Sequence, residues 1–120
     1  MATVTPDLQD CIDACNDCIQ AANACISAHA GEEAMTECLK LCLDCTDLCG
    51  ACVQMMARGS DYAAQVCGVC AELCAACADE CEKFDSEECQ HCAESCRRCA
   101  KQCREMTAAA ASIQEGDLRA

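Results

Sequence analysis

Aromatic side chains are almost missing from this 120-residue chain: it has no tryptophan, and Tyr62 and Phe84 are the whole class. Basic residues are few as well. Eight Lys and Arg face 21 Asp and Glu, a formal net charge of −13, which argues against nucleic acid or an anionic membrane as a partner. No apolar run reaches the length of a membrane span. The N-terminal Met-Ala-Thr-Val-Thr-Pro-Asp-Leu has no basic start, no apolar run of signal length and no twin arginine, so the expectation is a cytoplasmic protein in a reducing compartment. The chain also lacks a paired nucleophile and base, a phosphate loop and an open-site metal motif, and no enzyme is expected.

What fills the space is cysteine, 19 of them in a chain that is 53% hydrophobic. From Cys38 to Cys52 they recur at steps of four, three, four and three, as Cys38, Cys42, Cys45, Cys49 and Cys52. On a helix of about 3.6 residues per turn such steps return to one face. The other stripes follow the same rule: Leu8, Cys11, Cys15, Cys18, Ala22, Cys25, His29; then Ala63, Cys67, Cys70, Cys74, Cys77, Cys81, Phe84; then Cys89, Cys92, Cys96, Cys99, Cys103, Met106. Met35 and Met56 bracket the second row. Thr5 as an N-cap with Pro6 at the first helical position, Gly31, Gly59, Ser60 or Asp61 as the cap of the third helix, and Asp85 or Ser86 as that of the fourth supply the starts and stops. The predicted helices cover about 6–30, 32–57, 61–84 and 87–112, with a frayed tail over 114–120. Short links between long helices specify one all-α domain, an antiparallel up-down-up-down four-helix bundle with a cysteine-lined core.

Disulfides do not suit such rows. Residues at i and i+4 on a helix have Cβ atoms about 5–6 Å apart, and a disulfide needs about 3.5–4.5 Å. Zinc selects four thiolates in isolated tetrahedral sites, whereas these rows are unbroken, and each buried zinc tetrathiolate carries a formal charge of −2. An iron–sulfur cluster would want a loop-borne ligand run that is absent. Cu(I) is selected by soft thiolates and accepts two or three of them. A linear S–Cu–S unit spans about 4.6 Å if the bond is near 2.3 Å. Pairs at i and i+4 suit that span: Cys11/Cys15, Cys38/Cys42, Cys45/Cys49, Cys70/Cys74, Cys77/Cys81, Cys92/Cys96 and Cys99/Cys103. One Cu⁺ per thiolate is also neutral, so multiple ions are expected, on the order of one per cysteine. A metallothionein-like zinc buffer is the alternative. A thiol redox protein, which needs one cysteine set apart from the rest, is a further one.

His29 ends the first stripe, and an antiparallel link brings it toward Met35, so the two together read as a weak copper site at one mouth of the channel. Met56 and Met106 read as apolar closure of the other end with Leu8, and His91, off the stripe, as solvated. Ile12, Ile19 and Ile26 with Leu39, Leu41 and Leu43 form either a subunit interface or packing between neighbouring helices.

The cysteine rows and the His29/Met35 pair resemble the bacterial copper storage proteins of the Csp family, over about residues 6–113. The resemblance implies bundles assembled as homotetramers, Cu(I) held mainly by pairs of cysteine thiolates, and a mouth with His or Met ligands. It implies an exported branch and a cytosolic one, and this chain is similar to the latter. Ala22 departs from an unbroken row, so Cys18 and Cys25 must find sulfur partners on neighbouring helices.

Overall fold

Steps of three and four in the cysteine rows become four helices in the computed structural model, in which residues 6–119 are described, with side chains from Asp7 to Ala110. They are α1 (Pro6–His29), α2 (Thr36–Ala57), α3 (Ala63–Cys81) and α4 (Glu87–Arg119), and no strand occurs among the described residues. α1 packs against α2 and α4, and α3 packs against the same two, the square arrangement of an antiparallel bundle. Every cysteine faces the axis and is fully buried.

The turns rest on glycine where the backbone enters the left-handed region: Gly31 has φ 86° and Gly59 has φ 69°. Ser86 caps α4, its Oγ accepting the Cys89 N–H at 3.1 Å. No side chain caps α3: Ser60 Oγ accepts the Tyr62 N–H instead, at 3.2 Å, and Asp61 takes no part in a cap. The cap expected of Thr5 lies outside the described residues.

Three boundaries differ from the sequence reading. A short 3-10 turn, Glu33–Met35, precedes α2, with the Thr36 hydroxyl donating to the Glu33 carbonyl at 2.8 Å. α3 stops at Cys81 because the chain tightens there: the Lys83 and Phe84 amides bond back to Glu80 and Cys81 across three residues. Phe84 thus packs against the core from the turn and not from the helix. At the other extreme, α4 runs on to Arg119 instead of fraying from 114. Four consecutive alanines, Ala108 to Ala111, are the strongest helix formers available and carry the helix onward.

The α3–α4 seam is built from small residues: Ala71 and Ala78 on one helix and Ala93 and Ala100 on the other are buried. Thr107 Oγ1 reaches across it to the Ala64 carbonyl at 2.8 Å. A Cβ at Gly68 would meet that threonine hydroxyl at 3.5 Å, an ordinary contact, so the seam has room for an alanine there. Ile12 is buried, and Ile19, Ile26, Leu39 and Leu41 pack against the core of the single bundle. Of the six aliphatic residues proposed for an interface only Leu43, 50% exposed, remains outside.

Candidate metal centre

Four rows directed at one axis bring sulfurs together across helices as closely as along them. The shortest contacts join different helices: Cys18 to Cys96 and Cys38 to Cys81 at 3.5 Å, Cys15 to Cys99 and Cys49 to Cys70 at 3.6 Å. Two run diagonally from α2 to α4, Cys42 to Cys92 at 3.8 Å and Cys49 to Cys99 at 3.7 Å, so the axis itself is filled with sulfur. Among the i and i+4 pairs, Cys70/Cys74, Cys77/Cys81, Cys92/Cys96 and Cys99/Cys103 stand 3.8–4.0 Å apart. Cys11/Cys15 and Cys38/Cys42 each fall within 4.8 Å inside larger groups. Cys45 and Cys49 both turn toward Cys74, at 3.9 Å each. Cys18 and Cys25, separated by Ala22, find Cys96 and Cys89 on α4, the latter at 3.7 Å.

These separations suit metal coordination and leave the thiols unbridged. All nineteen are free. A trigonal ion with bonds of about 2.3 Å holds its sulfurs about 4.0 Å apart, and a tetrahedral one about 3.8 Å apart. Sets of four sulfurs lie within 4.8 Å of one another, among them Cys15/Cys49/Cys70/Cys99, Cys18/Cys49/Cys74/Cys99, Cys25/Cys38/Cys42/Cys81 and Cys42/Cys77/Cys81/Cys92. The first two share Cys49 and Cys99, and the last two share Cys42 and Cys81. At most two of these four can be occupied as separate tetrathiolate sites; a fuller column requires sulfurs that bridge ions.

The crowding also divides the thiols by acidity. Cys103 is lowered to about 6 by S–H donors, first Cys11 and then Cys15 and Cys52, and Cys92 to about 5 by Cys42 and then Cys81 and Cys96. Their neighbours move the other way. Cys15 and Cys99 are pushed up first by their bonds to Cys103, Cys74 and Cys96 first by theirs to Cys18, and Cys42 by its bond to Cys77. For Cys25 and Cys38 burial is the leading cause of the rise. Among the described residues the only buried polar or charged side chain is Ser95, so no lysine, arginine or histidine lies inside to balance thiolate charge.

The two ends close differently. At one, Met56 is buried at 2% exposure, and a cavity of about 220 Å³ lies among Leu8, Met56, Ser60, Asp61, Ala63 and Met106. Its lining combines the expected apolar Leu8, Met56 and Met106 with the polar Ser60 and Asp61. At the other end Met35 is buried, and His29 has both ring nitrogens engaged: Nδ1 with Glu32 Oε2 at 2.9 Å and Nε2 with Ser86 Oγ at 2.8 Å. His91 is exposed. Sequence reasoning placed Ser86 only as a helix cap and passed over Glu32. The one signal for Glu32 was its position three residues past His29, beyond the glycine that turns the chain back.

A helical bundle whose core is a continuous thiol column is a protein built to hold soft metal ions. A family model of copper storage proteins (Csp) matches residues 4–108, and the chain belongs to that family. Copper storage protein 3 from Bacillus subtilis is similar in its apo form, with 39% identity and a TM-score of 0.79 over 82% of this chain and 97% of that one. Its Cu(I)-bound form gives 38% and 0.81 over 84% and 98%. A cytosolic copper storage protein from Streptomyces lividans, solved with five coppers, gives 36% and 0.79 over 85% and 92%. No protein of curated function matches the sequence.

Proposed function

We propose that this protein stores Cu(I), holding many ions, on the order of one per cysteine, on the thiolates inside its bundle. The observation that carries this is the composition of the column: nineteen fully buried thiols, most of them 3.5–4.0 Å from another sulfur, with no buried cationic side chain among the described residues. Charge decides the metal. A thiolate row emptied of protons and filled with an equal number of Cu⁺ ions is neutral, whereas zinc in isolated tetrathiolates leaves two negative charges per site in a medium that penalises them by several kcal/mol each. Shared ligands also limit how many separate zinc sites fit.

The ligands are the nineteen cysteines of the four rows, with His29 and Met35 as softer donors at one end. The role is sequestration rather than turnover, in the cytosol as for the Streptomyces relative. Assembly into homotetramers is part of the same reading, with Leu43 and Val69, half or more exposed, on the faces available to it. No helix among the described residues is long and apolar enough to cross a membrane.

Anaerobic titration of the reduced protein with Cu(I), against a competing chelator, tests the assignment. Uptake on the order of one ion per cysteine is expected. Saturation at a few coppers, or tighter binding of about four zinc ions in a parallel titration, overturns it. Light scattering tests the tetramer, and a monomer refutes it.

A further inference from the structure

At the end where α1 begins and α2 stops, the column finishes with Cys11, Cys52, Cys67 and Cys103, one from each helix. Two of the rows then continue in methionine: Met56 lies four residues past Cys52, about 6 Å along the axis, and Met106 three past Cys103, about 4.5 Å. Both line one cavity of about 220 Å³. Met56 is buried and Met106 packs against the core, yet the space between them stays open, because α3 and α4 present only Ala63, Ala64 and Ala110 to it. Close-packed interiors leave few such voids, and methionine, unbranched and flexible, is the side chain that ordinarily fills them. Apolar closure alone does not account for this end.

Charge points the same way. A thioether is soft and selects Cu(I) as a thiolate does, but it is neutral, so an ion held by two of them keeps its charge of +1. Such an ion needs carboxylates nearby, and they are present. Asp61 lines the cavity shared by the two methionines, and Met106 also lines a second cavity, of about 210 Å³, with Asp7, Asp10 and Glu105. All four acids are exposed. From the axis outward the order is thiol, thioether, carboxylate and water, with Met106 between the end of the column and the acidic opening.

We propose that Met56 and Met106 form a thioether site for Cu(I), through which ions leave the column for a soft acceptor offering thiolate or aromatic-nitrogen ligands. An ion shared by Cys11 and Cys103, whose sulfurs stand 3.9 Å apart, breaks its bonds to them as bonds to the two Sδ atoms form. Each freed thiolate takes a proton from water, and no electron moves. The Cu⁺ charge now sits beside the carboxylates. Met106 swings on its flexible side chain toward the acidic cavity, and the acceptor's ligands replace the thioethers. The site is a passage and adds nothing to the tightly held load. This inference rests on the storage reading and concerns the rate of emptying, which the load does not report.

The test is anaerobic removal of Cu(I) from the fully loaded, full-length protein by excess bicinchoninate, an aromatic-nitrogen chelator, with the initial load measured on the same samples. The double variant Met56→Leu/Met106→Leu removes both sulfurs in a swap of similar volume that cores tolerate. It is expected to slow release by about tenfold, a rise of about 1.4 kcal/mol in the barrier, with the tightly held load within one ion of wild type. Each single variant slows it by less, and these carry the test if the double variant does not fold. Asp61→Asn slows release by up to about fivefold, the scale of an exposed charge interaction. Carbon-13 shifts of the methionine methyls give a readout that packing would not move. One equivalent of Cu(I) beyond the capacity of the column should shift the Met56 and Met106 methyls together and leave Met55, which lines neither cavity, in place. Wild-type or faster release from the fully loaded Leu variants, or methyls of Met56 and Met106 that do not respond, overturns the inference. Uptake of only a few ions by the wild type and all variants alike would instead sink the storage reading.

Discussion

The sulfur column and the plugs at its two ends are built by the same helices to opposite specifications. In the column every contact is a weak thiol–thiol one between groups that can lose a proton or gain a metal, and at the ends the side chains are thioethers, aliphatics and a hydrogen-bonded ring. The column therefore carries the part of the stability that changes with conditions. The ends carry a smaller part.

Metal should separate the two most widely. Saturating Cu(I) acts on the column alone, and each independent tight site adds about 4 kcal/mol of stability when free ion exceeds its dissociation constant a thousandfold. Calorimetry of apo and loaded protein should show a large rise in Tm, reversed by a strong Cu(I) chelator; equal midpoints would contradict a column of ligands. Alkaline pH comes next. Cys15, Cys42, Cys74, Cys96 and Cys99 have folded pKa values raised above 9.0, so the stability they hold is intact below pH 9 and lost as pH rises beyond it, by about 1.4 kcal/mol per pH unit for each thiol ionised only in the unfolded chain. Cys18, Cys70 and Cys77, lowered by hydrogen bonds from their neighbours, act with opposite sign together with Cys92 and Cys103 at about 5 and about 6, a contribution present above pH 9 and fading as pH falls through the lowered values. Cys25, Cys38, Cys45, Cys49, Cys52, Cys67 and Cys81 are raised as well, so raised thiols outnumber lowered ones, and the apo protein should unfold more easily at pH 10 than at pH 8, while the loaded protein, with no thiol protons left, should not.

At the ends the effects are smaller. Met56→Ala removes a side chain buried to 2% and should cost about 2–5 kcal/mol in denaturant unfolding, with copper uptake unchanged. Met35→Leu conserves volume and should cost under about 1.5 kcal/mol; loss of one weakly held ion in that variant would mark the Met35 thioether as a ligand. Arg97→Ala, which removes exposed pairs with Asp79 at 2.6 Å and Glu82 at 3.0 Å, should change stability by less than about 1 kcal/mol and loading not at all.

Much of this was legible in the chain. The steps of cysteine named the buried face of each helix, Gly31 and Gly59 named two of the stops, and Ser86 named a cap, because each depends on residues near in sequence. The pairing of sulfurs was less accessible. Spacing places Cys18 and Cys25 on one face, but the partners Cys96 and Cys89 follow from the rotation and height of α4, which no local pattern encodes. The same limit hid the bond from Ser86 to His29, which joins residues 57 apart. The far end of α4 escaped for a different reason: runs of alanine extend a helix without any amphipathic period to reveal it.

The closeness of sulfurs both along and across helices has one more consequence. Contacts of 4.0 Å or less link Cys11, Cys103, Cys15, Cys99, Cys49, Cys70, Cys74 and Cys45 into one web, and Cys18, Cys96, Cys92, Cys42, Cys77, Cys81 and Cys38 into another. Cys18 joins the two, lying within 4.8 Å of Cys49, Cys74 and Cys99. Most of the interior is thus one nearly continuous network of sulfur, in which a soft ion could pass between neighbouring thiols by exchanging one ligand at a time.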